Sequence, residues 1–468
     1  MRRYFIAATF ALLLLATSAA AQQSSLKLPP YKKTKLPNGL TVLLMEHREV
    51  PIVSFEFAVK AGSVADPRGK EGTASLTADL LRKGTKSRTA EQIAAQLDFI
   101  GGQFDAGARP DESTASAEFL KKDLATGLEL LADILLHPSF PAEEFTKLQE
   151  QRIDGIRSAK DRAQAVMSAY FNGYLFGSHP YGRPTGGDEK SLAAIARDDV
   201  VQFYQAHYVP ANAILAVVGD FSAVEMEKLI AQKFGAWSAP ASSARSATAA
   251  KLAEPALVKG KRLLLVDKPD STQTFFRIGN VGISDTHPDR VPVQVVNTLF
   301  GGRFTSMLNS ALRIESGLTY GAGSFFDQRR VSGPFAINSY TQNETTEKAI
   351  DMALDILTRL HTEAVSEAQL TSAKNYIKGQ FPPDIETSDQ LANLLVDLEL
   401  RGLDEREINQ FYAKVDAITV ADARRVIKEH FPLDNLVFLL IGKASEIAPV
   451  LKKYAARLDK KSISDPGF

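Results

Sequence analysis

Residues 203–212 read Phe203-Tyr204-Gln205-Ala206-His207-Tyr208-Val209-Pro210-Ala211-Asn212; an apolar run over 213–218 follows, and then Gly219. Near the other end, His430-Phe431-Pro432-Leu433-Asp434-Asn435 leads into an apolar run over 436–441 and then Gly442. His207, Asn212 and Gly219 recur as His430, Asn435 and Gly442, at a constant offset of 223. Each copy reads as a helix ending in an aromatic segment, a Pro-containing turn, and a buried strand closed by Gly. A helix is expected after each, at 224–234 and 445–458. A module used twice implies two homologous halves.

Working outward, 40–46 and 52–60 alternate and are rich in Val, Leu and Phe, so they read as strands, with Pro37-Asn38-Gly39 as the turn ahead of the first. A strand pair is expected at 104–108 and 113–119. Helical patterns cover 70–82, 89–100, 120–136, 141–160 and 189–206, with Thr89 as an N-cap. The second half repeats the theme, with strands near 262–267 and 273–281 and helices at 288–299 and 303–315. Strands mixed with long helices, without strict alternation, point to an α+β fold. Each half is expected to be a mostly antiparallel sheet covered on one face by helices. Between the halves, 237–258 is rich in small residues, lacks an apolar period and reads as a linker. The domains are thus 22–236 and 259–468.

The first 21 residues read as a secretory signal peptide. Arg2 and Arg3 precede a short apolar core over 6–17, and Ala19-Ala20-Ala21 precedes Gln22. No later segment reaches the ~18 apolar residues of a membrane span. The expected location is therefore outside the cytoplasm, most simply the periplasm. Apolar residues make up 44% and charged residues 24% of the 468, as in ordinary globular proteins. Lys plus Arg and Asp plus Glu both number 55, so bulk charge argues against a nucleic-acid partner. Without cysteine, no disulfide can help, and stability rests on the core.

Two further stretches carry chemistry. Gly72-Thr73-Ala74-Ser75-Leu76-Thr77-Ala78-Asp79-Leu80-Leu81-Arg82-Lys83-Gly84-Thr85 forms one; Leu312-Arg313-Ile314-Glu315-Ser316-Gly317-Leu318-Thr319-Tyr320 forms the other. Together with Leu36-Pro37-Asn38-Gly39-Leu40, His179-Pro180-Tyr181-Gly182-Arg183-Pro184 and Asp267-Lys268-Pro269, their order resembles the pitrilysin/insulinase family of inverted zincins. The resemblance covers nearly all of 30–460 and lies closest to the mitochondrial-processing-peptidase-like branch.

That resemblance implies a clamshell fold and a zinc helix bearing H-x-x-E-H, with two His ligands and a Glu that activates water. Here the His positions hold Ser75 and Asp79, and the Glu position holds Ala78. The implied position of the third ligand holds Gly155, and Glu143, Glu144 and Glu150 read as solvated helix positions. No zinc is expected on this chain. The family's second domain supplies an Arg and a Tyr that hold substrate and stabilise the transition state, and Arg313 and Tyr320 match that pair. The implied function is a non-catalytic subunit of a heteromeric zinc metallopeptidase. A homologous H-x-x-E-H-bearing subunit would carry the zinc, and the substrate would be a peptide or unfolded protein. The alternative is a peptide-binding or scaffold protein without hydrolysis. At single-residue level, Arg313 could instead cap a helix C-terminus and Tyr320 could be core. His207 and His430 are expected to hydrogen-bond backbone in both halves. His47, His137, His287 and His361 show no ligand spacing, and Asn343-Glu344-Thr345 fits a glycosylation acceptor.

Overall fold

The computed structural model describes residues 27–239 and 252–468. The signal segment 1–21 and the middle of the 237–258 linker lie outside the described residues. Among the described residues, twelve strands form two six-stranded sheets. The first contains β1 (Lys32–Lys35), β2 (Thr41–Glu46), β3 (Ile52–Val59), β4 (Gln103–Ala108), β5 (Ser113–Leu120) and β6 (Ala213–Gly219). The second contains β7 (Arg262–Asp267), β8 (Gln273–Val281), β9 (Ala322–Phe326), β10 (Pro334–Gln342), β11 (Val437–Gly442) and β12 (Arg457–Ser462).

The strand orders are β1-β2-β6-β3-β5-β4 and β12-β7-β11-β8-β10-β9. Position by position they match, with one exchange of origin. The outer strand beside β2 precedes it in the chain and runs antiparallel, whereas the outer strand beside β7 comes from the chain's last residues and runs parallel. Four of five pairings in the first sheet and three of five in the second are antiparallel. The fold is α+β with two matching halves.

Coverage of the sheets differs from expectation. β6 and β11 are buried at every residue, which a strand covered on one face cannot be. On the first sheet, Val42, Leu44, Phe55, Phe57, Leu215 and Val217 face helices of their own half, among them Thr73–Leu80, Leu124–Leu136 and Ala223–Phe234. Leu43, Met45, Ala58, Ile214, Ala216 and Val218 point the other way. They meet Leu391, Ala392, Leu395 and Val396 of Ser388–Arg401, a helix from the second half.

The reciprocal contact is made by Ala163–Phe176 of the first half. Its residues Val166, Met167, Tyr170, Phe171 and Leu175 cover Leu264, Val266, Val437, Leu439 and Ile441 of the second sheet. Both helices place apolar residues at three- and four-residue spacing, which makes a continuous stripe on one face. At ~1.5–3 kcal/mol per fully buried large side chain, each exchanged helix contributes on the order of 10 kcal/mol to holding the halves together.

Other boundaries shift for local reasons. The expected helix over 445–458 ends at Leu451, after Pro449 removes a donor inside it, and residues 457–462 become β12. The expected helix over 303–315 is a short turn, Met307–Asn309, followed by a π-helical turn, Ser310–Glu315. The expected helix over 189–206 is two helices, Glu189–Ala194 and Arg197–His207. The described ends of the linker are held in place. Trp237 packs on Phe57, and Leu252 and Val258 join the core beneath the second sheet.

Two expectations about polar residues also change. The Asn343 side chain is buried and bonds to Thr274 Oγ1, the Ser271 carbonyl and Glu446, so it is unavailable for glycosylation. Neither paired histidine bonds backbone through its ring. His207 packs on the Phe203 ring at 4.5 Å between centroids, and His430 Nε2 bonds the Asp289 carboxylate at 2.9 Å.

Truncating the exchanged helices tests the seam. Leu395→Ala and Phe171→Ala are expected to lower unfolding free energy by about 2–5 and 3–5 kcal/mol respectively, measured by denaturant titration. Loss under 1 kcal/mol for both would contradict the packing.

A buried carboxylate gives a second test. Glu56 lies on β3 under the Ser388–Arg401 helix, 4% exposed. Burial pushes its pKa from 4.5 up to about 8, against a smaller opposing pull from Arg109. The folded protein therefore keeps this proton while the unfolded chain releases it. Stability should fall as pH rises from about 4.5 to 8, by an amount on the order of a few kcal/mol. Glu56→Gln should flatten that slope and be more stable than the parent at pH 8; an unchanged pH profile would show that Glu56 is ionised in the fold.

Candidate functional site

The Thr73–Leu80 helix starts at Gly72, whose φ of +100° suits glycine, and its N-terminus is held by Asp66. Asp66 accepts hydrogen bonds from the Gly72 and Ala74 amides at 2.7 and 2.8 Å. The helix buries Ser75 and Ala78, and Ala78 is wholly enclosed. Asp79 is half-buried and ion-paired with Arg152 of the Ala142–Lys160 helix. Burial raises the Asp79 pKa, and the Arg152 guanidinium opposes this. Gly155 lies on the same helix as Arg152, and both line a cavity of ≈ 520 Å³.

Arg313 and Tyr320 belong to the second half. Arg313 lies in the π-helical turn, with its guanidinium 4.8 Å from the Phe304 ring centroid and no carboxylate in ion-pair range among the described residues. Gly317 turns the chain at φ +64°. The next residues are tied to β10: Thr341 Oγ1 donates to the Leu318 carbonyl at 2.7 Å, and Ser339 Oγ donates to the Gly321 carbonyl at 3.0 Å. Tyr320 precedes β9 rather than lying on a strand, and its side chain is 78% exposed. It is not core. Beside Arg313, Phe304 and Ile314 are 59% and 57% exposed. The structure thus gathers Ser75, Ala78 and Asp79 on one helix and Arg313 and Tyr320 around one turn. Neither Arg313 nor Tyr320 makes a hydrogen bond or ion pair with the first group.

Three groupings escaped sequence reasoning. A cavity of ≈ 830 Å³ lies between the halves and is lined by charge from both. Most of that charge is paired: Arg329 with Asp327 at 2.9 Å, Arg330 with Asp111 at 3.3 Å, Arg401 with Asp285 at 2.9 Å and Asp397 at 3.2 Å, and Arg109 with Glu112 at 3.8 Å. Burial raises the Glu112 pKa to about 7. Lys60 and Arg277 line the same cavity without an ion-pair partner among the described residues.

The second grouping is Glu56 beneath its helix. The third joins His287, Asp289 and His430, whose ligand-type atoms lie within 4.8 Å of one another. Both Asp289 oxygens already bond Arg425, at 2.8 and 2.6 Å, and His287 Nδ1 accepts from the Asp289 amide at 3.0 Å. Arg425 and His430 hold the Asp289 carboxyl far below its usual range. The cluster reads as an ion-pair clasp joining the Val420–His430 helix to the start of Arg290–Phe300, rather than as an open ligand set. The recurrence of His430 at the His207 position was the only sequence signal for it.

Comparison with known proteins supplies the lineage. A family model described as insulinase (peptidase family M16) matches residues 41–189, and one described as the peptidase M16 inactive domain matches 194–377. An uncharacterised zinc protease of Mycobacterium leprae is 27% identical over 394 residues, 83% of this chain and 86% of that protein. An uncharacterised zinc protease of Rickettsia bellii is 27% identical over 352 residues, 75% of this chain and 83% of that protein. Among solved structures, a peptidase M16 inactive domain from Pseudomonas fluorescens superposes with a TM-score of 0.82 at 26% identity, covering 88% of this chain and 98% of that one. A protease from Helicobacter pylori has the same fold, with a TM-score of 0.83 at 22% identity, covering 88% of this chain and 100% of that one. With matched models in both halves and the two-sheet architecture common to these structures, the chain belongs to the insulinase (M16) peptidase family.

Proposed function

We propose that this chain is the non-catalytic subunit of a heteromeric zinc metallopeptidase of the cell envelope. It would bind peptide or unfolded protein and present Arg313 and Tyr320 to a site completed by an H-x-x-E-H-bearing homologous partner. The observation that carries the reading is the contrast between the two sites. At the zinc-helix positions there is a buried hydroxyl at Ser75, a methyl at Ala78 and no side chain at Gly155. The one carboxylate, Asp79, is engaged by Arg152. A tetrahedral zinc site needs three or four N, O or S ligands, and this set does not fit one. Ala78 cannot act as a base. At the second site, an exposed phenol stands on a hydrogen-bonded turn and a guanidinium has no carboxylate partner among the described residues.

The metal, carried by the partner, would supply the activated water. This chain's task is electrostatic. As a peptide carbonyl turns tetrahedral, its oxygen gains negative charge. The Tyr320 hydroxyl can donate a hydrogen bond to that oxygen, and the Arg313 guanidinium can donate to it or to the substrate backbone. Family members titled zinc protease and inactive domain support the coarser reading, and the cavity between the halves offers room for a peptide. That cavity also favours the second reading, peptide capture without hydrolysis. Among the described residues no helix is long and apolar enough to cross a membrane, and the signal segment supports an envelope location.

The purified chain is expected to hold far less than one zinc per molecule after dialysis, read by elemental analysis; near-stoichiometric zinc would remove the assignment.

Mixed with the H-x-x-E-H homologue, the chain should raise peptide hydrolysis. Tyr320→Phe should then lower kcat by about 10²–10³ with little change in KM, because the lost bond strengthens only as charge develops. Arg313→Ala should worsen both constants. Unchanged kcat for Tyr320→Phe at unchanged Tm would end the catalytic assignment, and peptide binding without any stimulated hydrolysis would favour the capture reading.

A further inference from the structure

Arg277 lies on β8, on the face covered by the exchanged helix Ala163–Phe176. Its Nε and Nη2 both donate to Asn338 Oδ1 at 3.2 Å, and its Nη1 donates to Ser168 Oγ at 3.1 Å. The guanidinium is 5.6 Å from the Phe171 ring centroid and 5.0 Å from that of Phe325. Among the described residues no carboxylate lies within ion-pair range. Asp327, the acid that influences it, is engaged by Arg329. Burial draws its pKa down to about 10, so it stays charged at neutral pH.

This arrangement is unusual in energetic terms. Arg277 is half-buried, and a cation partly withdrawn from water is normally paired, because desolvation costs free energy that neutral oxygens repay only in part. Three of the five guanidinium N–H groups are used, which leaves donors free. Arg277 also forms part of the walls of two spaces, the ≈ 830 Å³ cavity between the halves and a ≈ 660 Å³ cleft beside Phe304. Lys60, exposed and likewise without an acidic partner among the described residues, lines the larger cavity.

The pseudo-symmetry sharpens the point. Glu56 pairs with Ala216 and Ser116 in the first sheet, as Arg277 pairs with Leu439 and Asn338 in the second. Equivalent positions under the two exchanged helices therefore carry an acid and a base. The acid, with its pKa raised to about 8, is protonated at neutral pH. Arg277 keeps its charge, so of this symmetry-related pair only the cation is charged.

From this geometry we infer that Arg277, with Lys60, is a receiving site for a carboxylate of the bound peptide, either its C-terminal carboxylate or an acidic side chain. The inference rests on the peptide-binding reading above and names a substrate preference for it. A carboxylate reaching Arg277 would replace two neutral contacts with a charge-assisted pair, flanked by the Phe171 and Phe325 rings.

The test uses the full chain and two kinds of probe. The first is succinate, titrated calorimetrically. The second is a fluorescent peptide in three forms: free C-terminus, amidated C-terminus, and amidated with an internal Asp. The parent should bind succinate saturably. It should prefer a carboxylate-bearing peptide over the plain amide by about 10- to 100-fold, and the better of the two acidic forms identifies the source. Arg277→Gln can keep hydrogen bonds to Asn338 and Ser168 without the charge and should abolish both effects. Asn338→Asp supplies an internal carboxylate and should do the same, which keeps the test decisive if Arg277→Gln folds poorly.

Equal affinity for all three peptides, together with no saturable succinate binding, would overturn the site while leaving peptide binding intact. Succinate binding that depends on Arg277, with no affinity for any peptide, would keep the site and overturn the peptide-binding reading. Succinate binding and peptide preference unchanged in both variants would place the anion elsewhere and overturn the assignment.

Discussion

Each half of this protein makes a sheet that it cannot bury alone. β6 and β11 are apolar on both faces, and each half covers only one of them with its own helices. The second face of each is covered by one helix from the other half, Ser388–Arg401 in one direction and Ala163–Phe176 in the other. Everything else about the molecule follows from that reciprocal burial. It makes the two halves one packing unit, and it fixes where the cavities between them lie. It also determines that polar residues on those sheet faces sit in the seam, Glu56 buried and Arg277 half-buried.

The chain's last residues add a second tie. Lys160 of the first half, nearly buried, pairs with Glu189 and bonds the Asp465 carbonyl, while Phe468 packs edge-on against Tyr170. These contacts hold the last residues of the chain against the exchanged helix and the helix before it. The same terminal segment supplies β12, which occupies the sheet position that β1 fills in the other half. Equivalent structural needs are thus met from non-equivalent stretches of chain, and the two halves are free to differ chemically on one scaffold. Asn212 and Asn435 illustrate this. The first donates from its side chain to the His207 carbonyl, whereas the second adopts φ +60° and accepts from the Gly260 amide.

Much of this was legible in the sequence, and the rest was hidden for identifiable reasons. The strands over 40–46 and 273–281 and the 223-residue repeat are local patterns, written in side-chain alternation and in a turn with Pro and Gly. The apolar stripe of Ala163–Phe176 is equally local, but a stripe does not say which sheet it covers, so the exchange could not be read. The approach of His287 to His430 depends on how the Val420–His430 helix packs on Arg290–Phe300, which spacing along the chain does not encode. At the candidate site, the order Arg313, Gly317, Tyr320 was readable. The π-helical turn and the exposure of Tyr320 were not: the first closes through a five-residue bond from the Ser316 amide to the Ala311 carbonyl, and the second goes with a loop held by hydrogen bonds to β10.

Those hydrogen bonds bear on why the two candidate sites differ in physical character. In the Thr73–Leu80 helix, Ala78 and Ser75 are packed away and Asp79 is matched by Arg152, so each residue serves folding. Tyr320 serves folding poorly. Its ring leaves most of its apolar surface in water and so forgoes the stabilisation that burial would bring. Yet the backbone on either side of it is fixed, which removes the freedom that usually accompanies an exposed loop residue. A side chain presented at such cost on a rigid turn is already organised for contact with something outside the fold. A rigid donor loses little further entropy when that contact forms, which is the property a hydrogen bond to a transition state requires.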